Sequence, residues 1–122
     1  MLQIDLIKGN HDILEDSWYK QADVNIIAHK LAVGPFLFIH DLKLQEKLTE
    51  EEKALYSFTG HMHPGISLRG SGRQSLRFPC FYFAKNYCVL PAFSRFTGTF
   101  RVKPEKGETV FALVEKGIMQ LP

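Results

Sequence analysis

With 122 residues the chain is long enough for one domain with its own core, and 15 Lys+Arg against 13 Asp+Glu leave a net charge of +2. That balance excludes a strongly basic chain that coats nucleic acid and an acidic solvating chain, so any partner must be read from local features. The apolar runs Ala32 to Ile39 and Cys88 to Phe93 are too short to cross a bilayer, and the N-terminus lacks a signal-peptide pattern; the expectation is a cytoplasmic protein without membrane contact.

Leu2 to Ile7 alternates apolar and polar residues as a short strand does, and Gly9-Asn10 breaks it. Ile13, Leu14, Trp18 and Ala22 then recur at helical spacing, which predicts a helix from Ile13 to Ala22 with Asp12 as N-cap and Glu15 closing a capping box. Val24 to Ala28 and Gly34 to Ile39 are predicted to pair as a hairpin that turns at or just before Val33-Gly34. Thr49 caps a short surface helix in the charged segment Leu42 to Ala54. Leu55 to Thr59 is the next predicted strand. A polar loop holding Arg69, Gly70, Gly72, Arg73 and Arg77 follows, and Leu76 to Ala84, Tyr87 to Ala92, Thr97 to Val102 and Val110 to Val114 read as the consecutive strands of a β-meander. Cys80 and Cys88 show no C-x-x-C pattern and sit among apolar residues; two buried, reduced thiols on neighbouring strands are expected, with a disulfide or zinc knuckle as the alternative.

The histidines carry the functional signal. His11, His40, His61 and His63 each stand just past a predicted strand end, as His29 does less clearly, and loops past strand C-termini converge where α/β sheets bind ligands. A single such histidine is ordinarily a surface or core residue; three separate turns carrying His, plus an H-x-H pair, point to a metal site. On an extended backbone residues i and i+2 face the same way, so His61 and His63 can reach one metal or two adjacent ones. Asn10 offers a neutral carbonyl oxygen to a hard cation, and the adjacent His11 is left free for proton or charge work.

In this order, Gly9-Asn10-His11-Asp12, Phe38-Ile39-His40 and Gly60-His61-Met62-His63 resemble the last three signature blocks of the calcineurin-like metallophosphoesterase superfamily. The stretches GHMHPGISLRG, LRFPCFYF and LPAFSRFTGTF are similar to its bacterial branch described as ligase-associated DNA damage response endonucleases. Ser94 and Thr99 depart from that pattern, standing where glycine is expected.

The resemblance implies an α/β (α+β) fold: the C-terminal part of a β-sandwich flanked by helices, closing in the antiparallel meander. It implies that Asn10, His40 and His61 bind one metal of a two-metal centre, that His63 binds the other, and that His11 sits over the scissile phosphate with Asp12 to orient it. Two divalent ions, Mn²⁺ favoured and Fe or Zn²⁺ as alternatives, would activate water for in-line hydrolysis of a phosphoester or DNA substrate. DNA ligase and helicase repair partners are further implications. Lys8, Arg69, Arg73 and Arg77 are candidate phosphate or DNA contacts; arginines in a glycine-rich loop are also commonly just solvated.

The superfamily pattern begins with D-x-H and then G-D, and this chain contains neither. The expectation is a single partial domain over residues 1–122, weakly active or inactive alone, with strands Leu2 to Ile7 and Phe36 to Ile39 underpacked and an exposed sheet edge that could support a homo-oligomer. A shortened gene or fragment, a start codon assigned too late, and a chain that functions as it stands are the explanations left open. A non-catalytic metal-binding or protein-interaction scaffold is the competing functional reading.

Overall fold

A computed structural model describes residues 2–94 and 97–122, without the side chains of residues 44–46. Arg95 and Phe96, inside the third family-like stretch, lie outside the described residues. Strand β1 (Ile4–Ile7) pairs in parallel with β2 (Val24–Ile27), and helix α1 (Asp16–Gln21) connects them. Strand β3 (Lys30–Val33) forms a hairpin with β4 (Phe36–Ile39), turning through Gly34 at φ +55°. A 3-10 helix (Leu42–Lys47) and α2 (Glu50–Lys53) lead to β5 (Tyr56–Thr59). Then come β6 (Pro64–Arg69), β7 (Ser75–Phe83), β8 (Tyr87–Val89), β9 (Phe100–Arg101), β10 (Thr109–Val114) and β11 (Gly117–Gln120).

The larger sheet runs β11-β10-β7-β8-β5-β4-β3, while β6 and β9 continue from the first half of β7. Pro79 explains the branching. Residues Ser75 to Pro79 pair with β6, whereas Cys80 to Phe83 pair with β10. A proline has no N–H for a ladder, so it falls where β7 changes partners.

The structure departs from several of the expected elements. The helix begins at Asp16 with Glu15 at its N-cap and no side-chain cap bond; Asp12 closes the preceding turn instead. Ile13, Leu14 and Trp18 are all exposed, so their helical spacing does not mark a buried face within these residues. The hairpin uses β3, because Val24 to Ile27 is taken by the parallel pairing with β1. A strand that was not expected, β6, runs from Pro64 to Arg69, so that Arg69, assigned to the polar loop, ends a strand and Arg77 lies within β7. The C-terminal strands are not a consecutive meander: β7-β8 and β10-β11 are neighbours, but β8 inserts beside β5, and β9 is a two-residue strand parallel to β6. Thr49 does cap α2, its Oγ1 accepting from the Glu52 N–H at 3.2 Å, and the Glu52 side chain adds a reciprocal bond that makes it a capping box.

Two apolar clusters hold the fold together. Ile66, Cys80, Tyr82, Val89, Val102, Val110 and Ala112 form the larger; Leu37, Ile39 and Leu48 form the other. Strand β4 is therefore packed on its Leu37/Ile39 face, and only its Phe36/Phe38 face is partly open, where both rings meet Phe58. Strand β1 is the underpacked element expected, with Leu2 and Ile4 exposed. Cys80 and Cys88 are free, buried thiols on the neighbouring strands β7 and β8, and burial raises their pKa values to about 11 and about 12. Thr99 has a local partner for its side chain: a Cβ on Gly65 would lie 2.5 Å from Thr99 Oγ1, so the missing methyl makes the room that Thr99 fills.

Candidate metal centre

Three strand ends build the site. After β1, the Gly9 N–H donates to Asp12 Oδ2 at 2.8 Å and the Gly9 carbonyl accepts from the Asp12 N–H at 3.2 Å, tightening the turn that carries Asn10 and His11. Strands β4 and β5 are parallel with Ile39 opposite Thr59, so their next residues, His40 and Gly60-His61, leave the sheet side by side. The His40 carbonyl accepts from the Gly60 N–H at 3.1 Å and from Thr59 Oγ1 at 3.0 Å, which fixes its backbone.

Three predicted ligands meet at one atom. His40 Nε2 lies 3.1 Å from Asn10 Oδ1 and 3.2 Å from His61 Nδ1. Gly9 makes this approach feasible: a Cβ there would stand 2.4 Å from His40 Cε1. Burial, and then the neighbouring His61, lower the pKa of His40, with Asp41 and Asp12 opposing the shift; the neutral imidazole that a metal needs is thereby favoured.

His61 Nε2 faces Asp41 Oδ2 at 3.7 Å. A carboxylate behind a histidine's second nitrogen is the usual device for setting its tautomer and ring orientation. Sequence reasoning passed over Asp41, although its place directly after His40 was an available signal.

The H-x-H pair is not extended. His61 and His63 both have left-handed backbones, at φ +68° and +49°. Strict alternation therefore does not set their directions; a tight turn does. Such conformations are uncommon outside glycine and concentrate at functional sites. His63 stacks on His11 with ring centroids 6.3 Å apart, so these two form a second pair beside the Asn10-His40-His61 group.

Other predicted residues go elsewhere. Asp12 is engaged with Gly9, and among the described residues no hydrogen bond joins it to His11. Lys8 pairs with Asp16 at 3.2 Å and lies over the Tyr19 ring, directed toward α1. His29 lines a separate hollow of about 200 Å³ with Lys30, Ile39, Lys47 and Leu48. Arg77 Nη1 donates to the Thr99 carbonyl at 3.4 Å, while Arg69 and Arg73 share a hollow with Arg101, which sequence reasoning did not single out.

No group of three or more His, Cys, Asp or Glu side chains among the described residues is arranged to hold a metal ion; the third donor of the cluster is the asparagine carbonyl. Among these residues no helix is long and apolar enough to cross a membrane.

The fold matches that of a nuclease. The solved structure of Pseudomonas putida nuclease MPE is similar at 25% identity and a TM-score of 0.73, with 98% of this chain and 54% of the nuclease chain covered. This chain thus spans about half the length of that nuclease. The match supports, at a coarse level, the metallophosphoesterase resemblance carried by the three blocks. No protein-family model matches the chain, and no curated protein matches it.

Proposed function

We propose that the cluster is a divalent-metal site for phosphoester hydrolysis, part of a metallophosphoesterase acting as a phosphodiesterase or nuclease. The convergence of Asn10 Oδ1 and His61 Nδ1 on His40 Nε2 carries this reading. One ring N–H can donate well to only one of those neighbours, whereas a cation facing all three lone pairs satisfies them together. Their spacing fits as well: with metal–ligand bonds of about 2.1 Å, the edges of an octahedral shell are roughly 3 Å. Mixed O and N donors suit Mn²⁺, Fe or Zn²⁺, and the family likeness favours Mn²⁺. A cation bound there supplies Lewis acidity toward a phosphate oxygen and acidifies a water.

In this reading Asn10, His40 and His61 hold one ion and His63 contributes to a second. His11, stacked beside His63, stabilises phosphate charge or protonates the leaving oxygen, and Asp12 holds the turn that presents Asn10 and His11. Asp41 orients His61. The 122 residues lack D-x-H and G-D, so the bridging carboxylate and remaining ligands come from outside them. The β1–β2 pair is then the start of the second sheet of a sandwich, and a DNA-repair role follows from the family likeness.

Calorimetric titration of the 122-residue chain with Mn²⁺ tests the site. Weak binding that disappears in His40→Ala is expected; no binding, or binding indifferent to that substitution, overturns the reading and leaves the scaffold alternative. Fast Mn²⁺-dependent hydrolysis of bis-p-nitrophenyl phosphate by this chain alone would show that the ligand set is already complete.

A further inference from the structure

We propose that one face of the β6-β7-β9 sheet binds the phosphate backbone of a nucleic-acid strand, at a surface separate from the histidine cluster. Register places the residues. Ser67 lies opposite Arg77, Arg69 opposite Ser75, and Gly65 opposite both Pro79 and Arg101. Positions i and i+2 of a strand share a face, so Ser67, Arg69, Ser75, Arg77 and Arg101 all project to one side. The alternate residues Ile66, Leu68 and Phe78 project to the other side and join the larger apolar cluster. This amphipathic pattern gives the polar face a definite composition: serine, arginine and small residues.

Arg73 joins them from the turn between β6 and β7. Ser67, Arg69, Arg73, Ser75 and Arg101 line a common hollow of about 420 Å³ with no carboxylate among its described lining residues. None of Arg69, Arg73, Arg77 and Arg101 takes part in an ion pair among the described residues, and all four are exposed. Four guanidinium groups on one face, with no ion-pair partner among the described residues, favour an anion there.

The geometry selects the kind of anion. Guanidinium forks match phosphate oxygens in bidentate fashion, and serine hydroxyls are common backbone-phosphate donors. From Gly65, the register partner of Arg101, to Arg69 is about 13 Å along β6. That is more than one phosphate group spans, but a strand offering a phosphate roughly every 3.4 Å, as in one chain of a duplex, covers it. Pro64, which opens β6, directly follows His63, so the face leads away from the histidine cluster along a single strand.

The test is fluorescence anisotropy of a fluorescein-labelled 20-nucleotide single strand with the 122-residue chain in EDTA, titrated at several NaCl concentrations. Four phosphate contacts predict that the affinity falls roughly 50-fold between 50 and 200 mM salt. The triple variant Arg69→Gln/Arg73→Gln/Arg101→Gln, on exposed positions, is expected to melt like the parent and to lose about two units of the logarithmic salt slope together with most of the affinity. Lys8→Gln, whose side chain is paired with Asp16, is expected to bind as the parent does. A triple variant with parental affinity and slope overturns the proposal. So does parental protein that binds anionic phospholipid vesicles as tightly as the oligonucleotide at equal phosphate concentration. Because EDTA removes divalent ions, failure here leaves the metal reading standing, and failure of the Mn²⁺ titration leaves this surface standing.

Discussion

Replacing Gly9 by alanine adds one methyl group and tests the proposed metal centre. A Cβ at this position would lie 2.4 Å from His40 Cε1, 2.7 Å from Nδ1 and 2.8 Å from Nε2. Ordinary carbon contacts begin near 3.5 Å, so the imidazole or the turn must retreat by about 1 Å. The His40 backbone is held through its carbonyl by Gly60 and Thr59, and Gly9 is held by Asp12, so either retreat separates Asn10 Oδ1 from His40 Nε2. Metal–ligand distances tolerate only about 0.2 Å. Since disturbing even an outer-shell partner lowers metal affinity by about 10–100-fold, Gly9→Ala is expected to weaken Mn²⁺ binding by at least about 10-fold, or roughly 1.4 kcal/mol.

The assay is calorimetric Mn²⁺ titration alongside thermal unfolding of the apo chain. Gly60→Ala is the matched control, because a Cβ there meets His40 at no less than 3.8 Å, an ordinary contact. Its affinity should stay within about 2-fold of the parent, a difference of roughly 0.4 kcal/mol. Full Mn²⁺ affinity in Gly9→Ala would refute the assignment of His40 as a ligand in this geometry.

Three further outcomes follow from other parts of the molecule. His63→Gly should raise apo stability by about 1 kcal/mol, seen as a higher melting temperature, since glycine relieves the left-handed backbone at φ +49°; a lower one would refute stored strain at the turn. Cys80 and Cys88, with pKa values of about 11 and about 12, should resist a disulfide reagent at pH 8 in the native chain, and both should react after denaturation; rapid native labelling would contradict their burial. The His40 pKa lies below its unfolded value of 6.5, so the unfolded chain binds more protons as the pH drops through and below 6.5. The apo parent should therefore lose stability relative to His40→Gln between pH 7 and 5 and show no such differential above that window; an opposite slope in urea melts would reverse the assigned sign.

Residue type and local spacing made much of the site legible. A glycine-asparagine-histidine turn after a strand, a histidine closing another strand and an H-x-H past a third pointed to a metal site among Asn10 and the histidines; the family resemblance grouped Asn10, His40 and His61, and these three meet at one nitrogen. Elements with a strong local code were equally readable: the Thr49 cap depends on a few consecutive residues, and β5 on a short run between a helix and a glycine. The α1 region misled because Ile13, Leu14 and Trp18 have helical spacing without a buried surface to meet. Periodicity reports a face and not whether anything covers it.

What the sequence determined by itself, then, was the donor chemistry, the order of the strand ends and the burial of the two thiols. Tertiary structure decided which strands are neighbours. Insertion of β8 between β5 and β7, the change of partners at Pro79 and the parallel seat of β9 all join residues far apart in the chain, and local propensity contains no term for such pairings. The same long-range register put Arg101 on the face of Arg69 and Arg77, aimed His61 at Asp41, and set Gly9 against His40 so closely that only a hydrogen fits between them. A side chain's chemistry is intrinsic, but its neighbours are fixed by which strand lies beside which.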